Sequence, residues 1–185
     1  MAITPEVLFI SSQYVKKYSQ VNESVEESYL NTHILLAQDK HVQKYLGTRL
    51  FLKLKESSLA TAYDDLLNNF VRKVTLWWTM VEIMPHLQVK IHNGGLVVRT
   101  AENAISITEN DLAREMYLAR QNAQVYTQLL ITHLRHNTDL YPEYTQHQAG
   151  DIYPEKGVIA NTNGMQVGSG GNRQNYDRYS WMKDV

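Results

Sequence analysis

Apolar positions recur at alternating spacings of three and four along three long stretches of the chain, which is the pattern of a helix with one buried face. In the first stretch, Ser24 and Glu27 fit a capping box, in which both side chains satisfy free amides of the first turn. The third stretch opens at Thr108 or Asn110, and either residue suits an N-cap. The sequence therefore predicts a mainly α fold, a helical bundle. The positions on the three apolar faces are Leu30, Ile34, Ala37, His41 and Tyr45; then Tyr63, Leu67, Phe70, Val74, Trp77, Val81 and Met84; then Leu112, Met116, Ala119, Ala123, Tyr126, Leu130 and His133.

Two residues predict where these helices end. Gly47 can adopt the positive φ that terminates helices, so the first helix should stop there and a short amphipathic helix should follow over 49–56. Pro85 lacks an amide donor and clashes with the preceding turn, so we expect a kink or a break near Met84. Residues 74–84 are apolar on most sides, which places the second helix at the centre of the bundle.

A small β-hairpin insertion is predicted between the second and third helices, at about residues 96–107. The turn signal 93–95 precedes it, and the β-branched runs 96–100 and 104–107 are typical of its two strands. An isolated hairpin is marginal in water, so this one should pack on the bundle or on a neighbouring molecule. Its candidate partner-binding residues are Leu96, Val98, Ile105 and Ile107.

The chain loses its periodicity after Asn137. Six of the nine glycines and two of the four prolines lie beyond that residue, together with six aromatic residues. Disordered segments are usually poor in aromatics, whereas aromatics anchor interfaces. We therefore predict a helical bundle over 1–140 and an extended, glycine-rich aromatic arm over 141–185 that docks on a partner; the alternative is a tail whose scattered aromatics have no binding role. The candidate anchors of the arm are Arg173, Tyr176, Arg178, Tyr179 and Trp181.

Composition and charge narrow the class of protein. Eighteen basic and nineteen acidic residues leave a formal net charge of −1, without the basic excess of a protein that grips nucleic acid. The absence of cysteine excludes disulfides, thiolate zinc sites and a cysteine nucleophile, and it suits a reducing cytosol. The most apolar stretch, 74–84, is far shorter than the ~20 residues that span a bilayer, so we expect no membrane association.

No combination of residues predicts catalysis, a metal or a cofactor. His133 and His136 are spaced to face one ion, but two ligands are too few. The carboxylate pairs at 26–27 and 64–65 lie near helix starts, where the helix dipole accounts for them. The glycine-rich run 168–171 lacks the spacing of a phosphate loop. We expect a protein that is not an enzyme; an enzyme of unfamiliar arrangement is an alternative.

A small helical DNA-binding regulator is a second alternative, because two helices meet around Gly47 and three basic residues follow. The same short piece carries apolar residues at 50–52 and 54, which suit packing rather than entry into a groove. The basic residues concerned are Arg49, Lys53 and Lys55.

Three segments, 34–50, 76–85 and 140–144, resemble in order and spacing a family of phage proteins found with phages and prophages of Bacteroides-like and Flavobacterium-like hosts. The likeness runs from about residue 8 to residue 144. The helical layout, with a short insertion before the last long helix, also resembles the head-tail connector (adaptor) proteins of tailed bacteriophages.

This resemblance implies a structural protein of the virion neck, assembled in the host bacterial cytoplasm and located at the head-tail interface. Such connectors form a ring beneath the portal, which implies twelve copies, contacts with neighbouring copies and with the tail or further neck proteins, and no tight hold on the passing genomic DNA. It also implies that the arm docks on the portal or on a neighbouring copy. The chain departs from shorter family members after Gly150. A tail-completion or other neck protein contacting the tail tube is the alternative within the virion.

Overall fold

The computed structural model describes residues 6–87, 89–92, 95–98, 108–157, 161–162 and 165–166, and helices make up most of these described residues. Single π-helical turns, Gln38–Val42 and Leu67–Val71, join neighbouring helices into longer segments, and a 3₁₀ turn, Pro142–Tyr144, follows the last helix. The predicted mainly α fold is confirmed. The helices are α1 Ser12–Tyr18, α2 Glu27–Ala37, α3 Gln43–Leu54, α4 Thr61–Leu66, α5 Arg72–Leu87 and α6 Glu109–His136.

The core forms around α5, which packs against α2 on one side and α6 on another. From Val74 to Ile83 nearly every residue of α5 is buried, so the central position predicted for this helix is confirmed. The two buried threonines of this stretch donate their hydroxyl protons to backbone carbonyls one turn earlier: Thr75 to Val71 at 2.8 Å and Thr79 to Thr75 at 2.7 Å. These bonds satisfy polar groups that would otherwise be costly to bury.

Helix α2, the first of the three helices predicted from the sequence, does not start with the predicted capping box. Its N-cap residue is Glu26, which makes no side-chain capping bond, and α2 begins at Glu27. The amide of Ser24 instead donates to the Asn22 side chain at 2.8 Å. Asparagine side chains compete for nearby amides in this way. Ser24 therefore lies in a local turn before the helix and is not its N-cap. At α6, by contrast, Thr108 is the N-cap, and its hydroxyl oxygen accepts the Asp111 amide at 3.3 Å.

Gly47 and Pro85 give opposite outcomes. Gly47 has φ 76° and ψ 163° and breaks α3 into two parts, which confirms the predicted helix stop. The sequence predicted a kink or a break near Met84; helix α5 continues through Pro85 to Leu87, so the break is wrong and the kink stays a prediction. Pro85 lies in the last turn of α5, so only two residues of the helix follow it.

The strands form two short antiparallel pairs: β1 Val89–His92 with β2 Gly95–Val98, and β3 Asn161–Thr162 with β4 Met165–Gln166. The predicted hairpin paired 96–100 with 104–107, and this pairing is not seen in the described residues. Leu96 and Val98 do lie in β2, but their strand pairs with β1. Residues 99–107 lie outside the part of the chain that the structure describes. Val89 and Ile91 alternate with Lys90 and His92, which is a period-two pattern, but it extends over only four residues.

Within the same described ranges, none of the helices combines the length and the hydropathy that a bilayer span requires.

Candidate interaction sites

Helix α6 packs on the body of the protein through one face of small and apolar residues. Ala119 and Ala123 are buried and allow close approach to α5. The indole N–H of Trp78 on α5 donates to the Thr127 hydroxyl at 3.1 Å, and that hydroxyl donates to the carbonyl of Ala123 at 2.6 Å. This face accounts for the apolar periodicity that identified the helix in the sequence.

The opposite side of α6 exposes a second apolar row. Leu118, Val125 and Leu129, which we call the outer stripe, are 42%, 59% and 50% exposed. Their spacings of seven and four place them on one helix face over roughly 16 Å of axis. Tyr117, which precedes Leu118 in the sequence, is also exposed, and its hydroxyl oxygen accepts a hydrogen bond from the Gln121 side chain at 2.7 Å. Exposed apolar rows of this kind mark surfaces that contact other molecules.

A groove adjoins the outer stripe where α1, α5 and α6 meet. Leu118 belongs to both, and the groove has a volume of about 360 Å³. Two methionines of α5 contribute to its lining, and methionine side chains adapt readily to differently shaped partners. The groove therefore extends the apolar surface of α6 inward. Its other apolar residues are Tyr18, Trp77, Met80, Met84 and Ala119.

A third feature lies at the break in α3. Because Gly47 is not helical, the backbone groups around it need partners outside the helix. The Lys44 carbonyl accepts the Glu155 amide at 2.8 Å, and the Thr48 amide donates to the Ile152 carbonyl at 3.1 Å. The Ile152 amide in turn donates to the Thr48 hydroxyl oxygen at 2.9 Å. We call residues 44–49 the notch and residues 148–157 the strap.

The notch depends on the absence of a side chain at Gly47. A Cβ atom there would lie 3.0 Å from Cδ of Pro154 and 3.1 Å from the carbonyl oxygen of Ile152. The backbone angles of Gly47 also fall in a region that only glycine occupies readily. Pro154 is buried against this position. Gly47 therefore both ends the helix and admits the strap.

Two ion pairs flank these backbone bonds. Arg49 Nε lies 2.9 Å from Asp151 Oδ2, and Lys44 Nζ lies 3.9 Å from Glu155 Oε2. Asp151 Oδ2 also accepts the Gln148 amide at 2.7 Å. The hydrogen bond from the Gln148 amide is the larger cause, and the Arg49 guanidinium the second, that hold the pKa of Asp151 below its ordinary value. Asp151 therefore stays ionised and joins the strap's own turn to the notch.

The segment between α6 and the strap is built into the core. Tyr141 and Tyr144, which the sequence analysis assigned to the arm, are both buried. The Tyr141 hydroxyl donates to the carbonyl of Ala62 at 3.2 Å, and the Tyr63 hydroxyl donates to Glu143 at 2.6 Å. Burial and the nearby Glu143 carboxylate raise the pKa of Tyr63, so this hydroxyl remains a donor. Residues 141–144 thus fix the point from which the strap departs.

A charged cluster occupies the π-helical turn after α2. Glu82 Oε1 contacts Nε2 of His41 at 2.6 Å and Nζ of Lys40 at 2.8 Å, and the His41 ring stacks on Trp78 at 4.0 Å. Burial lowers the pKa of His41, and Glu82 opposes this only in part. Burial alone would raise the pKa of Glu82, but the hydrogen bonds from His41 and Lys40 outweigh it and lower the pKa. The cluster attaches the π turn to α5.

Among the residues that the structure describes, no group of three or more histidine, cysteine or acidic side chains is placed to hold a metal ion. His133, which the sequence analysis weighed as a ligand, stacks on Phe70 at 4.3 Å and contacts the Tyr141 hydroxyl at 3.2 Å. Its role there is packing.

The predicted partner-binding residues lie mostly beyond the described ranges. These are the five arm residues, Arg173, Tyr176, Arg178, Tyr179 and Trp181, and the hairpin residues Ile105 and Ile107. Their contacts stay predictions.

Sequence reasoning missed the outer stripe and the notch–strap contact. The outer stripe has a signal in the sequence, a second apolar row with spacings of seven and four, on the side of α6 opposite the buried row of Ala119 and Ala123. The notch–strap contact has only a partial signal in the sequence. Gly47 indicates a helix break, but nothing in the sequence links that break to Pro154.

A family model described as "Family of unknown function (DUF6712)" matches residues 42–153, from the π-helical turn after α2 into the strap. It therefore covers most of the notch–strap contact and the whole of α5 and α6. No curated protein and no solved structure is detectably similar to the chain.

Proposed function

We propose that this chain, which belongs to the DUF6712 family, is a structural protein of the bacteriophage neck: a head-tail connector (adaptor) subunit that forms a ring on the portal and offers a platform to the tail. Its proposed location is the head-tail interface of the virion, with assembly in the host bacterial cytoplasm. Its proposed partners are the portal protein, neighbouring copies of itself and tail or further neck proteins.

The outer stripe is the observation that carries this proposal. A helix that is apolar on two opposite faces has two surfaces to bury, and the core of its own chain covers only one. Leu118, Val125 and Leu129 leave the other face available to a neighbouring subunit. In a ring each copy offers two different surfaces to its two neighbours. The outer stripe would supply one of these surfaces, and a different surface of the neighbouring copy would receive it.

The segments that carry the resemblance support a structural role. Residues 34–50 form the π turn and the notch, 76–85 lie in the central helix, and 140–144 carry the buried tyrosines. All three therefore act in packing and chain direction rather than in chemistry. The formal net charge of −1 suits a channel wall that lets DNA pass without holding it.

The proposal assigns further contacts to the two regions named in the sequence analysis. The aromatic arm would dock on the portal or on a neighbouring copy, through Arg173, Tyr176, Arg178, Tyr179 and Trp181. The hairpin region would provide a second contact, through Leu96, Val98, Ile105 and Ile107.

Two other functions make different predictions. A tail-completion or neck protein would use the same outer stripe but would bind the tail-tube protein instead of the portal. A small DNA-binding regulator would use the stripe as a dimer interface and would bind DNA with strong salt dependence. The exposed row on α6 is compatible with each, so the identity of the bound partner decides between them.

The test is the mass of the purified full-length chain alone and then mixed with the portal protein of the same genome. We expect a fixed large complex with the portal, and loss of that complex in the double variant Val125→Asp, Leu129→Asp. Both positions are more than a third exposed, so the variant should keep its fold and its melting temperature. Gln128→Asp, on an exposed position of the same helix, is the matched control and should assemble normally.

Three results would contradict the proposal: no association with the portal, unchanged assembly of the double variant, or equal loss in the control. Binding to the tail-tube protein would favour the alternative within the virion, and salt-sensitive binding to DNA would favour the regulator.

A further inference from the structure

The strap reaches the notch over an exposed linker. Tyr144 is buried, whereas residues 145 and 146, which precede the strap, and residues 148–150, at the start of the strap, are exposed. The chain then turns back through a tight turn in which the Asp151 amide donates to the Gln148 carbonyl at 3.1 Å. Gly150 in this turn has φ 95°, and a Cβ atom placed there would meet nothing within 4 Å. A backbone change in this linker therefore disturbs little of the core.

The strap binds the notch as an extended peptide binds a receptor. Three backbone amides take part in its bonds, one proline fills the space above Gly47, and the two carboxylates meet Arg49 and Lys44. The side chains of Ile152 and Tyr153 remain 48% and 60% exposed. Because the strap adds little to the apolar core, its separation from the notch costs less than global unfolding.

We infer that the notch is a binding site for the strap of a second copy of this chain, so that exchanged straps link neighbouring subunits. The inference rests on the proposed function, because it presupposes copies held side by side. A strap delivered by a neighbour would make the same bonds with Lys44, Gly47, Thr48 and Arg49 that it makes within one chain. The turn 148–151 has to open, and the contact between the His147 and Tyr153 rings across that turn is lost.

The balance between closed and exchanged straps depends on concentration. The exchange of identical elements costs little beyond the loss of independent motion, and an assembly that holds copies together removes much of that cost. When the turn opens, Gly150 no longer has to hold a positive φ, and the hydrogen bond from the Gln148 amide to Asp151 is lost. The ion pair between Asp151 and Arg49 is formed again in the exchanged state. We therefore expect closed straps in dilute protein and exchanged straps in the assembly.

Disulfide trapping tests this directly, because the native chain contains no cysteine. The Thr48 amide and the Ile152 carbonyl are 3.1 Å apart, a backbone approach that brings the two Cα atoms within the usual reach of a disulfide. Full-length Thr48→Cys and Ile152→Cys chains are mixed in equal amounts, concentrated with and without the portal, and oxidised. The double variant carrying both cysteines in one chain reports the closed strap.

We expect a mixed 48–152 disulfide between two chains, roughly tenfold more abundant than the product of the control mixture of Ser58→Cys with Ile152→Cys. Ser58 is exposed and outside the notch, so it measures chance collision. The inference is overturned when no mixed disulfide exceeds this control in either condition, including the case in which the double variant closes only within one chain.

A charge exchange supplies a second measurement that does not depend on oxidation. Arg49→Asp chains and Asp151→Arg chains are each mismatched within themselves, but each strap matches the notch of the other variant. Their mixture should form more hetero-oligomer than either variant forms alone, and equal association in all samples would count against exchange.

The two proposals fail separately. A chain that assembles on the portal without mixed disulfides keeps the proposed function and loses the exchange. A chain that forms mixed disulfides without binding the portal keeps the exchange and loses the connector role.

Discussion

Cδ of Pro154 lies 3.0 Å from the point that a Cβ atom would occupy at Gly47, although the two residues are far apart in the chain. The contact makes the helix break at Gly47 part of a tertiary structure. The break leaves backbone groups without helical partners, and the strap supplies those partners through Ile152 and Glu155. A change at Gly47 should therefore affect both the local backbone and the attachment of the strap.

Gly47→Ala should destabilise the protein by about 3 kcal/mol, because it adds a strained φ to a steric conflict with the strap. Urea unfolding measures the loss. Gly150→Ala is the first control: φ is 95° there, but the surroundings are open, so a smaller loss of about 1 kcal/mol is expected. Gly157→Ala, without positive φ or close neighbours, should change little. Equal effects at the three positions would show that the notch imposes no special requirement.

Acid should release the strap, because the pKa of Asp151 is held below its ordinary value by the Gln148 amide and then by Arg49. A depressed carboxyl pKa contributes stability that is present above the unfolded value, about 3.9, and is lost as the pH falls through the folded value. The protection of the Thr48 amide, which donates to Ile152, should therefore fall in that acidic range when its exchange rate is compared with the intrinsic rate at each pH.

Asp151→Asn is the matched variant for this experiment. Its Thr48 amide should exchange faster already at neutral pH and should lose the acid-dependent step that belongs to Asp151. An unchanged acid step in this variant would assign the effect to another group.

The sequence predicted the elements whose cause is local. The buried faces of α5 and α6 follow from the helical spacing of their apolar residues. The helix stop at Gly47 follows from the conformational freedom of glycine. Predictions that depended on competition between neighbouring groups were less successful. Asn22 takes the amide of Ser24 and defeats the capping box, and Pro85 falls too near the end of α5 to break it.

The candidate interaction sites were harder to predict because they arise between distant segments. The period of the outer stripe is visible on α6, but only the fold shows that the opposite row is already buried and that this one is left over. Nothing in the sequence indicates the hydrogen bond between the Glu155 amide and the Lys44 carbonyl. In the hairpin, β2 overlaps the first predicted strand, 96–100, but it pairs with β1, which precedes the turn signal 93–95 and is only four residues long.

Gln38 connects the π-helical turn to the N-terminal segment, and its loss should loosen that segment. Its side chain is fully buried; Oε1 accepts the Phe9 amide at 2.6 Å and Nε2 donates to the Val7 carbonyl at 3.2 Å. Gln38→Leu keeps a similar volume but leaves the buried Phe9 amide without its partner, so we expect a loss of about 2–3 kcal/mol.

Urea unfolding and hydrogen exchange of the Phe9 amide check the Gln38 prediction together. The control is Gln20→Leu at an exposed position, which should change stability by less than about 0.5 kcal/mol. Wild-type protection of the Phe9 amide in Gln38→Leu would mean that the N-terminal segment is held by its apolar contacts alone.

Tyr144 and Tyr141 are both buried aromatic residues near the base of the strap, but their hydroxyl groups differ. The Tyr144 hydroxyl has no hydrogen-bond partner within the part of the chain that the structure describes, whereas that of Tyr141 donates to the Ala62 carbonyl. Removing an unpaired buried hydroxyl removes a desolvation cost, so Tyr144→Phe should be neutral or stabilising by up to about 1 kcal/mol. Tyr141→Phe should instead destabilise by about 1 kcal/mol, because it loses a bond that is satisfied. Thermal and urea unfolding of the two variants, which carry the same chemical change, measure the difference. A loss at Tyr144 equal to that at Tyr141 would indicate that the Tyr144 hydroxyl has a partner in solution, and the base of the strap would then be held by one more polar contact.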